Sequence, residues 1–333
     1  MRLAPDPDAL EFAASIRELL TDVADAAALR AAWDDPDGRI PGVWKRLAEA
    51  GVLGLTVPEE YGGSGADLTT LLPVLVELGR AALPEPVVET VVGAGLLAQV
   101  GGLVAEDWLP RLVAGEVVIS AHVGPGELVS AAPWADLLLV PDHAGVLCAV
   151  PREDATVNVA ESVDRGIRLA RVDVPPGAGF ALGGVDVDAA FDTAVTAVAA
   201  QQTGLAEAML AMSVRYANQR EQFGVVIGSF QAIKHQLANV YVDNSFAAPL
   251  VARAAWSIAH NRPTRTRDAS HAKHAATAAA QRAARTALQV HAGIGYTFEH
   301  DLHMWMKRTW TLSSLWGTAA WHRDRVARAV LNR

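Results

Sequence analysis

The chain has 333 residues, a formal net charge of −9 and 51% hydrophobic residues. This length allows two or three domains of roughly 100–200 residues each, and no apolar run reaches the roughly 18 residues that a membrane-spanning helix needs. The acidic balance without a Lys/Arg stripe argues against nucleic-acid binding, and the charged N-terminus resembles no secretion signal, so we expect a cytoplasmic protein without membrane insertion.

Residues 1–118 predict an N-terminal helical domain. Apolar residues recur at three- and four-residue spacing along residues 10–20, as one face of a helix requires. Further helical patterns cover residues 44–50, 68–80 and 87–100, and Gly51 is a C-cap signal for the first of these. The loop at residues 58–65 has three glycines in four positions, which favours backbone with positive φ.

Residues 119–193 predict a small middle β-domain. Short apolar or alternating runs at residues 117–120, 137–140, 146–150 and 169–174 are separated by Pro, Gly and Asp, which is typical of strands and turns. Cys148, the single cysteine, lies in one of these runs. We therefore expect it to be a buried thiol without chemical reactivity, and we expect neither a disulfide framework nor a Cys-based metal site.

Residues 194–333 predict a C-terminal four-helix bundle. Long helical stretches cover residues 196–218, 232–261 and 268–292, and the last is rich in alanine. Alanine favours helix and lets neighbouring helices approach closely. The whole chain therefore reads as mostly α with a small β-domain between two helical domains.

Two motifs in the third region have a recognisable form. Residues 220–224 read REQFG, followed by the FQ pair at residues 230–231, and residues 289–295 read QVHAGIG. Upstream, residues 44–51 read WKRLAEAG and residues 61–65 read YGGSG, while residues 297–303 read TFEHDLH. Together these segments resemble the acyl-CoA dehydrogenase family over nearly the whole chain. The resemblance implies that family's fold: an N-terminal helical domain, a middle β-domain and a C-terminal four-helix bundle.

The resemblance implies that Arg220, Phe223, Gln231, Gln289 and Gly293 bind the adenosine-diphosphate half of an FAD that is held mainly by a neighbouring subunit. An arginine fork suits a pyrophosphate, an aromatic face packs on a flat ring, and glycine permits close approach to the backbone. Thr318 is the sixth cofactor-binding residue implied.

From spacing alone, a structural role for these residues is the simpler interpretation. Phe223 and Phe230 would then be core aromatics, and Arg220 would pair with a carboxylate. The match to the motif reverses that preference.

The family's catalytic base is missing from both of its usual positions. In many members a glutamate in a Y-E-G-T turn removes the α-proton of the acyl-CoA, and burial can raise the pKa of such a carboxylate towards working pH. Here the corresponding turn is LWGT at residues 315–318, so Trp316 occupies the place of the base. The second usual position corresponds to Ala194. Asp192 is close but resembles a position that is not the base.

The middle region also lacks the family's T-E-P and W-I-T motifs, which hold the isoalloxazine ring; residues 122–130 read HVGPGELVS instead. The chain therefore resembles the smaller subunit, without the base, of actinobacterial α2β2 acyl-CoA dehydrogenases that act on steroid side-chain CoA esters. That resemblance implies a larger catalytic partner subunit, an FAD shared across the subunit interface, a bulky acyl-CoA substrate and an electron-transfer flavoprotein as acceptor.

Three other functions remain open at this point. An active homo-oligomer could use a relocated base such as Glu207 or Glu299, although an ion pair with Arg308 or His303 is the simpler role for Glu299. A scaffold or acyl-CoA-binding pseudoenzyme would hold no flavin. A flavin monooxygenase on the same fold would need no glutamate.

The histidines at i, i+3 spacing invite a metal-binding interpretation. His271 and His274 form one such pair, and His300 and His303 form another. Helical pairs of this kind can bind zinc, but no H-E-x-x-H motif and no cysteine partner accompany them, so we expect no metal site.

Overall fold

The structure, a computed structural model, describes residues 3–331 and begins with six helices; residues 1–2 and 332–333 of the predicted outer domains lie outside the described residues. The helices are α1 (Pro7–Val23), α2 (Ala26–Asp34), α3 (Val43–Glu49), α4 (Leu68–Arg80), α5 (Val87–Val100) and α6 (Gly102–Val113). The predicted bounds of α4 and α5 are confirmed. The buried face of α1 contains Ala9, Ala13, Ile16 and Leu20, whereas Leu10 is half exposed, so the predicted face was wrong at that residue.

The glycines of the 58–65 loop have two different roles. Gly62 and Gly65 have φ values of 85° and 62°, as predicted. Gly63 is needed for close packing instead, since a Cβ atom there would lie 2.0 Å from the carbonyl oxygen of Val57. The loop can therefore fold back on the end of the preceding segment only with glycine at this position.

The middle region forms two small sheets. The first contains β1 (Ile119–Ala121), β3 (Leu137–Pro141), β4 (Leu147–Pro151) and β7 (Phe180–Ala181), with β1 and β3 parallel and the other pairs antiparallel. The second is antiparallel and contains β2 (Val129–Ser130), β6 (Leu169–Asp173) and β5 (Thr156–Ala160). Cys148 is buried on β4. The sequence did not predict β5, because this edge strand is mostly exposed and lacks an apolar run.

The C-terminal region contains α7 (Val187–Gln219), α8 (Gln231–Ala259), α9 (Arg265–His291), α10 (Leu302–Ser314) and α11 (Ala319–Leu331). Helices α7 and α9 run parallel. At their beginnings, Asp186 pairs with Arg265 at 2.6 Å. At their ends, the rings of Tyr216 and His291 stack with centroids 4.5 Å apart.

Helix α7 also anchors the bundle to the N-terminal helices. A Cβ atom on Gly79 of α4 would lie 2.1 Å from the carbonyl oxygen of Gln201 on α7, and one on Gly204 of α7 would lie 2.0 Å from that of Val76 on α4. The two backbones touch at reciprocal glycines, as close helix packing through small residues requires.

The structure adds two details to the helices predicted in this region. Helix α7 begins at Val187, inside the residues predicted for the middle domain, because Asp186 caps it by accepting the backbone N–H of Ala189 at 2.8 Å. Three long helices are followed by two short ones, since Trp316 and Gly317 have φ values of 57° and 94° and interrupt the chain between α10 and α11. The division at residues 118 and 193 stays a prediction. Within residues 3–331 no helix is long and apolar enough to cross a membrane.

Candidate cofactor and base sites

Five of the six predicted cofactor-binding residues lie at one end of the bundle. Arg220 directly follows α7, Gln231 is the first residue of α8, and Gln289 lies in the last turn of α9. The parallel helices α7 and α9 end side by side, and a hairpin of β8 (Glu221–Gln222) and β9 (Val225–Val226) connects α7 to α8. The structure therefore brings these residues to the same end, which we call the arm end.

The hairpin presents its aromatic side chains to solvent. Phe223 is 92% exposed, with a φ of 56°, and its ring lies 6.2 Å from that of Phe230, which is also exposed. Arg220 is exposed and has no ion pair within 4.0 Å in the described part of the chain. The interpretation of these residues as core aromatics and a paired arginine is therefore wrong.

The end of α9 is equally open. Gln289 and Gly293 are exposed, and a Cβ atom on Gly293 would meet nothing within 4 Å. Ala292 occupies the place of the family's first paired glycine and has φ 52° and ψ −134°, a region that L residues rarely adopt. Gly295 is buried, and its Cβ would lie 3.1 Å from that of His291, so this glycine serves packing.

Thr318 lies far from the other five. It precedes α11, whose His322 bonds Ser270 near the beginning of α9, with Nδ1 and Oγ 3.1 Å apart. From Ser270 to Gln289 the helix extends by about 28 Å, at 1.5 Å per residue. The six candidate residues therefore form two groups at opposite ends of α9. We call the region around Thr318, near the beginning of α9, the turn end.

Both usual positions of the base lie at the turn end, and neither side chain can accept a proton there. Ala194 is fully buried one helical turn after Phe191, and the ring of Phe191 lies 6.3 Å from that of Trp316, which is 6% exposed. A Cβ atom on Gly124 would lie 2.8 Å from the Phe191 ring and 3.3 Å from the Trp316 ring. The β1 exit loop and α7 thus enclose side chains that pack against each other beside both base positions.

Asp192 is the carboxylate nearest to these positions in the sequence, and its partners hold it. The fully buried Asp192 accepts from Arg325 at 2.7 Å and from Thr266 at 2.9 Å, with Arg265 at 3.7 Å. Burial raises the pKa of Asp192, and the two arginines oppose that shift. Its oxygens are occupied by these donors, so Asp192 links α7, α9 and α11.

The two candidates for a relocated base lie elsewhere. Glu207 is about 20 Å along α7 from Ala194, where it pairs with Arg80. Glu299 is exposed near the arm end. The expected partner Arg308 instead pairs with Asp164 in the middle region, so that part of the expectation was wrong.

Sequence reasoning missed several buried ionisable groups, among them Lys273, His322 and Glu89. Lys273 is fully buried, donates to the carbonyl oxygen of Leu312 at 2.6 Å, and has a pKa lowered to about 7 by burial. His322 is fully buried, and burial lowers its pKa to about 4. Burial raises the pKa of Glu89, which lines a cavity of about 30 Å³ that suits a single water. For Lys273, the sequence offered one signal: a polar residue on the otherwise apolar face of α9.

His300 and His303, which form one of the predicted histidine pairs, lie in different environments. His291 and His300 pack with ring centroids 4.6 Å apart beside Tyr216, and His303 packs against Trp33 at 5.2 Å. Throughout the described ranges, no three His, Cys, Asp or Glu side chains are placed to hold a metal ion.

Comparison with known proteins gives matches along most of the chain. Residues 6–116 match the family model "Acyl-CoA dehydrogenase, N-terminal domain", and residues 184–331 match "Acyl-CoA dehydrogenase, C-terminal domain". The chain is 34% identical over 304 residues to "Acyl-CoA dehydrogenase IpdE2" of Mycolicibacterium smegmatis, covering 91% of this chain and 92% of that protein. The protein of the same name from Mycobacterium tuberculosis is 35% identical, and 88% of each chain is covered.

Solved structures agree with these matches. The fold is similar to a chain of the ChsE4–ChsE5 complex from Mycobacterium tuberculosis, with a TM-score of 0.92, 26% identity and 100% of both chains covered. It is also similar to a chain of a variant of the Tcur3481–Tcur3483 steroid ACAD, with a TM-score of 0.90, 26% identity and 98% of both chains covered.

Proposed function

Because this chain belongs to the acyl-CoA dehydrogenase family, whose members are oxidoreductases, we propose that it is the smaller subunit of a heteromeric FAD-dependent acyl-CoA dehydrogenase. It contributes the arm end to an FAD that a larger subunit mainly holds. The larger subunit supplies the catalytic base and the binding site for the flavin ring, and the assembly is an α2β2 heterotetramer.

The contrast between the two groups of candidate residues carries this proposal. At the arm end, the exposed Arg220, an almost fully exposed ring at Phe223 and the open backbone at Gly293 lie on the surface. At the turn end, Trp316 and Phe191 fill the space beside both base positions. A ligand can therefore be shared at the first end, while neither usual base position at the second end has a side chain that can accept a proton.

The exposed surface continues from the arm end along the outer face of α8. Tyr241 is 65% exposed and Phe246 is 73% exposed, and Val242 beside them is 46% exposed. Val242 and Phe246 lie one turn apart on the same helix face, and exposed apolar side chains that lie close together are typical of interaction sites. This face is suited to the larger subunit, whose FAD the arm would then reach.

Each arm residue has a distinct role in this proposal. The guanidinium of Arg220 donates paired hydrogen bonds to the pyrophosphate of FAD. Phe223 covers a flat part of the cofactor, Gln231 and Gln289 offer amide donors and acceptors, and Gly293 allows the backbone to approach. FAD supplies the acceptor for the hydride that leaves the β-carbon of the acyl-CoA.

The relatives support a proposal for the substrate and the metabolic role. Two similar structures are described as a steroid ACAD variant and as a complex of two differently named chains, ChsE4 and ChsE5. We therefore propose a bulky acyl-CoA with a steroid side chain as substrate, a role in steroid and lipid catabolism, and a cytoplasmic location. An electron-transfer flavoprotein is proposed as the electron acceptor.

Replacing the arm arginine tests the proposal. In the complex co-purified with the larger subunit, Arg220→Ala removes a charge-assisted contact worth about 1.5–3 kcal/mol, so flavin affinity should fall roughly 10- to 100-fold. Flavin absorbance per complex, measured after dialysis, gives the result. Arg46→Ala, an exposed arginine of α3 on the N-terminal domain, is the matched control and should keep its flavin. Unchanged flavin content in Arg220→Ala would remove the arm from the cofactor site.

A further inference from the structure

Trp316 has an unusual backbone conformation for a large aromatic residue. Its φ of 57° lies in the left-handed region, which glycine adopts readily and bulky side chains rarely do. Its side chain is buried, and the next residue, Gly317, also has a positive φ. Surrounding groups must hold the turn in this form, because such conformations persist only where the structure around them fixes them.

A directional chain of hydrogen bonds holds the turn from α9 and α11. Arg325 donates to the hydroxyl oxygen of Ser270 at 3.2 Å, and that hydroxyl donates to Nδ1 of His322 at 3.1 Å. Nε2 of His322 then donates to the carbonyl oxygen of Trp316 at 2.8 Å. With this assignment of protons, the imidazole of His322 is neutral and carries its proton on Nε2. Asp192 anchors the far end by accepting from Arg325 at 2.7 Å.

Packing around Gly317 leaves the turn no freedom to move towards α11. A Cβ atom there would lie 2.8 Å from Nε2 of His322 and 2.9 Å from the ring of Trp321. On the other side of the turn, Lys273 bonds the carbonyl oxygen of Leu312 at 2.6 Å. The turn that contains Trp316 is therefore fixed from both of its flanks.

The indole of Trp316 packs against two residues that line a surface cavity, Gly124 and Phe191. This cavity has a volume of about 580 Å³ and is lined by Gly124, Phe191, Trp321 and Arg325, among others. Trp316 lies directly behind that lining, since its ring is 6.3 Å from Phe191 and would be 3.3 Å from a Cβ atom on Gly124. His122 packs on the same indole at 6.1 Å. Removing the indole would extend the cavity inwards, between the β1 exit loop and α7.

We infer that Trp316 is a plug that keeps acyl groups out of this chain's own half-site, and that His322 is the residue that positions it. The inference rests on the proposed function, in which the half-site lacks a base. An acyl-CoA that entered such a half-site would stay bound without reacting and would reduce the substrate available to the productive site. The plug thus makes each pair of unlike subunits bind a single acyl-CoA.

Opening the plug in the co-purified complex tests this inference. Glycine suits the positive φ at this position, so Trp316→Gly removes the indole without forcing the backbone. Titration with octanoyl-CoA, followed by calorimetry, should give one equivalent per pair of subunits for the unmodified complex and a second, weaker equivalent for Trp316→Gly. Trp310→Ala, which removes a partly exposed indole from α10, is the matched control and should keep one equivalent.

A second pair of variants keeps the test decisive if Trp316→Gly does not assemble. His322→Leu removes the donor to the Trp316 carbonyl and should also admit a second equivalent, whereas His322→Gln retains an amide donor and should keep one. One equivalent in every variant that assembles, including His322→Leu, would overturn the plug. Flavin measured on the same samples separates the two claims, because an unmodified complex without flavin contradicts the proposed function whatever the acyl-CoA stoichiometry.

Discussion

The two ends of α9 differ in how many of their polar groups are hydrogen-bonded, and in how closely their aromatic groups are packed, within this chain. At the turn end, Asp192, Arg325, Ser270 and His322 form a continuous network of hydrogen bonds, and Trp316 is buried beside it. At the arm end, Arg220, Phe223 and Gln289 are exposed, and Arg220 forms no ion pair with any described residue. Groups that serve the fold are paired within the chain, whereas groups left open on a rigid scaffold are those that a ligand or a second subunit can satisfy.

The largest expected effect is a difference in how much each end contributes to the stability of the fold. Asp192→Ala leaves Arg325 and Arg265 facing each other without their buried carboxylate, and removing one partner of a buried pair costs about 3–5 kcal/mol. Arg220→Ala removes an exposed side chain and should change stability by less than about 0.5 kcal/mol. Thermal unfolding of the two variant complexes gives the comparison. Equal midpoints for both variants would show that the turn end is no more tightly coupled to the fold than the arm end.

A pH dependence should arise at the turn end through His322. Its pKa is about 4 in the folded chain, against an ordinary value of 6.5, so the unfolded chain binds more protons between these values. Its contribution is therefore fully present above pH 6.5 and is lost as pH falls towards 4, by about 3 kcal/mol in total.

Burial lowers the pKa of several other histidines as well, so the useful quantity is a difference between two proteins. His322→Gln cannot titrate and retains a donor to the Trp316 carbonyl, so its stability should fall less than that of the unmodified protein between pH 6.5 and 4. Parallel pH profiles for the two proteins would show that His322 is not held neutral by burial.

The smallest expected effect concerns backbone strain, which both ends contain. Ala292→Gly suits the φ of 52° and should stabilise the chain by about 1 kcal/mol, because the methyl group of Ala292 is exposed and contributes little packing. Trp316→Gly should instead destabilise it, since the indole is packed. Unfolding midpoints measured on the two variants should shift in opposite directions, and a shift in the same direction would mean that the two conformations are constrained alike.

The helical part of the fold could be read from the sequence because its signals are local. The apolar period of α4 and α5 and their flanking breakers gave their bounds, and the motifs gave the arm residues. Strand β5 was missed because an edge strand needs little apolar surface. The expected ion pair of Glu299 with Arg308 failed because Asp164, 144 residues away in sequence, takes that arginine.

The candidate site was predictable only in part. The absence of a base at Trp316 and Ala194 was evident from the motif alignment. The network that holds Trp316 was not, because Ser270, His322 and Arg325 have no common spacing and meet only through tertiary packing. The same holds for the separation of Thr318 from the arm residues, which follows from the parallel course of α7 and α9.

Flavin content, compared between this chain purified alone and the chain purified with its larger partner, tests the central claim most directly. If the arm reaches an FAD held mainly by the other subunit, the isolated chain should be colourless and inactive. The co-purified complex should be yellow, with one FAD per pair of unlike subunits. A yellow, active preparation of this chain alone would contradict the account, because its turn end would then have to hold a flavin and supply a base.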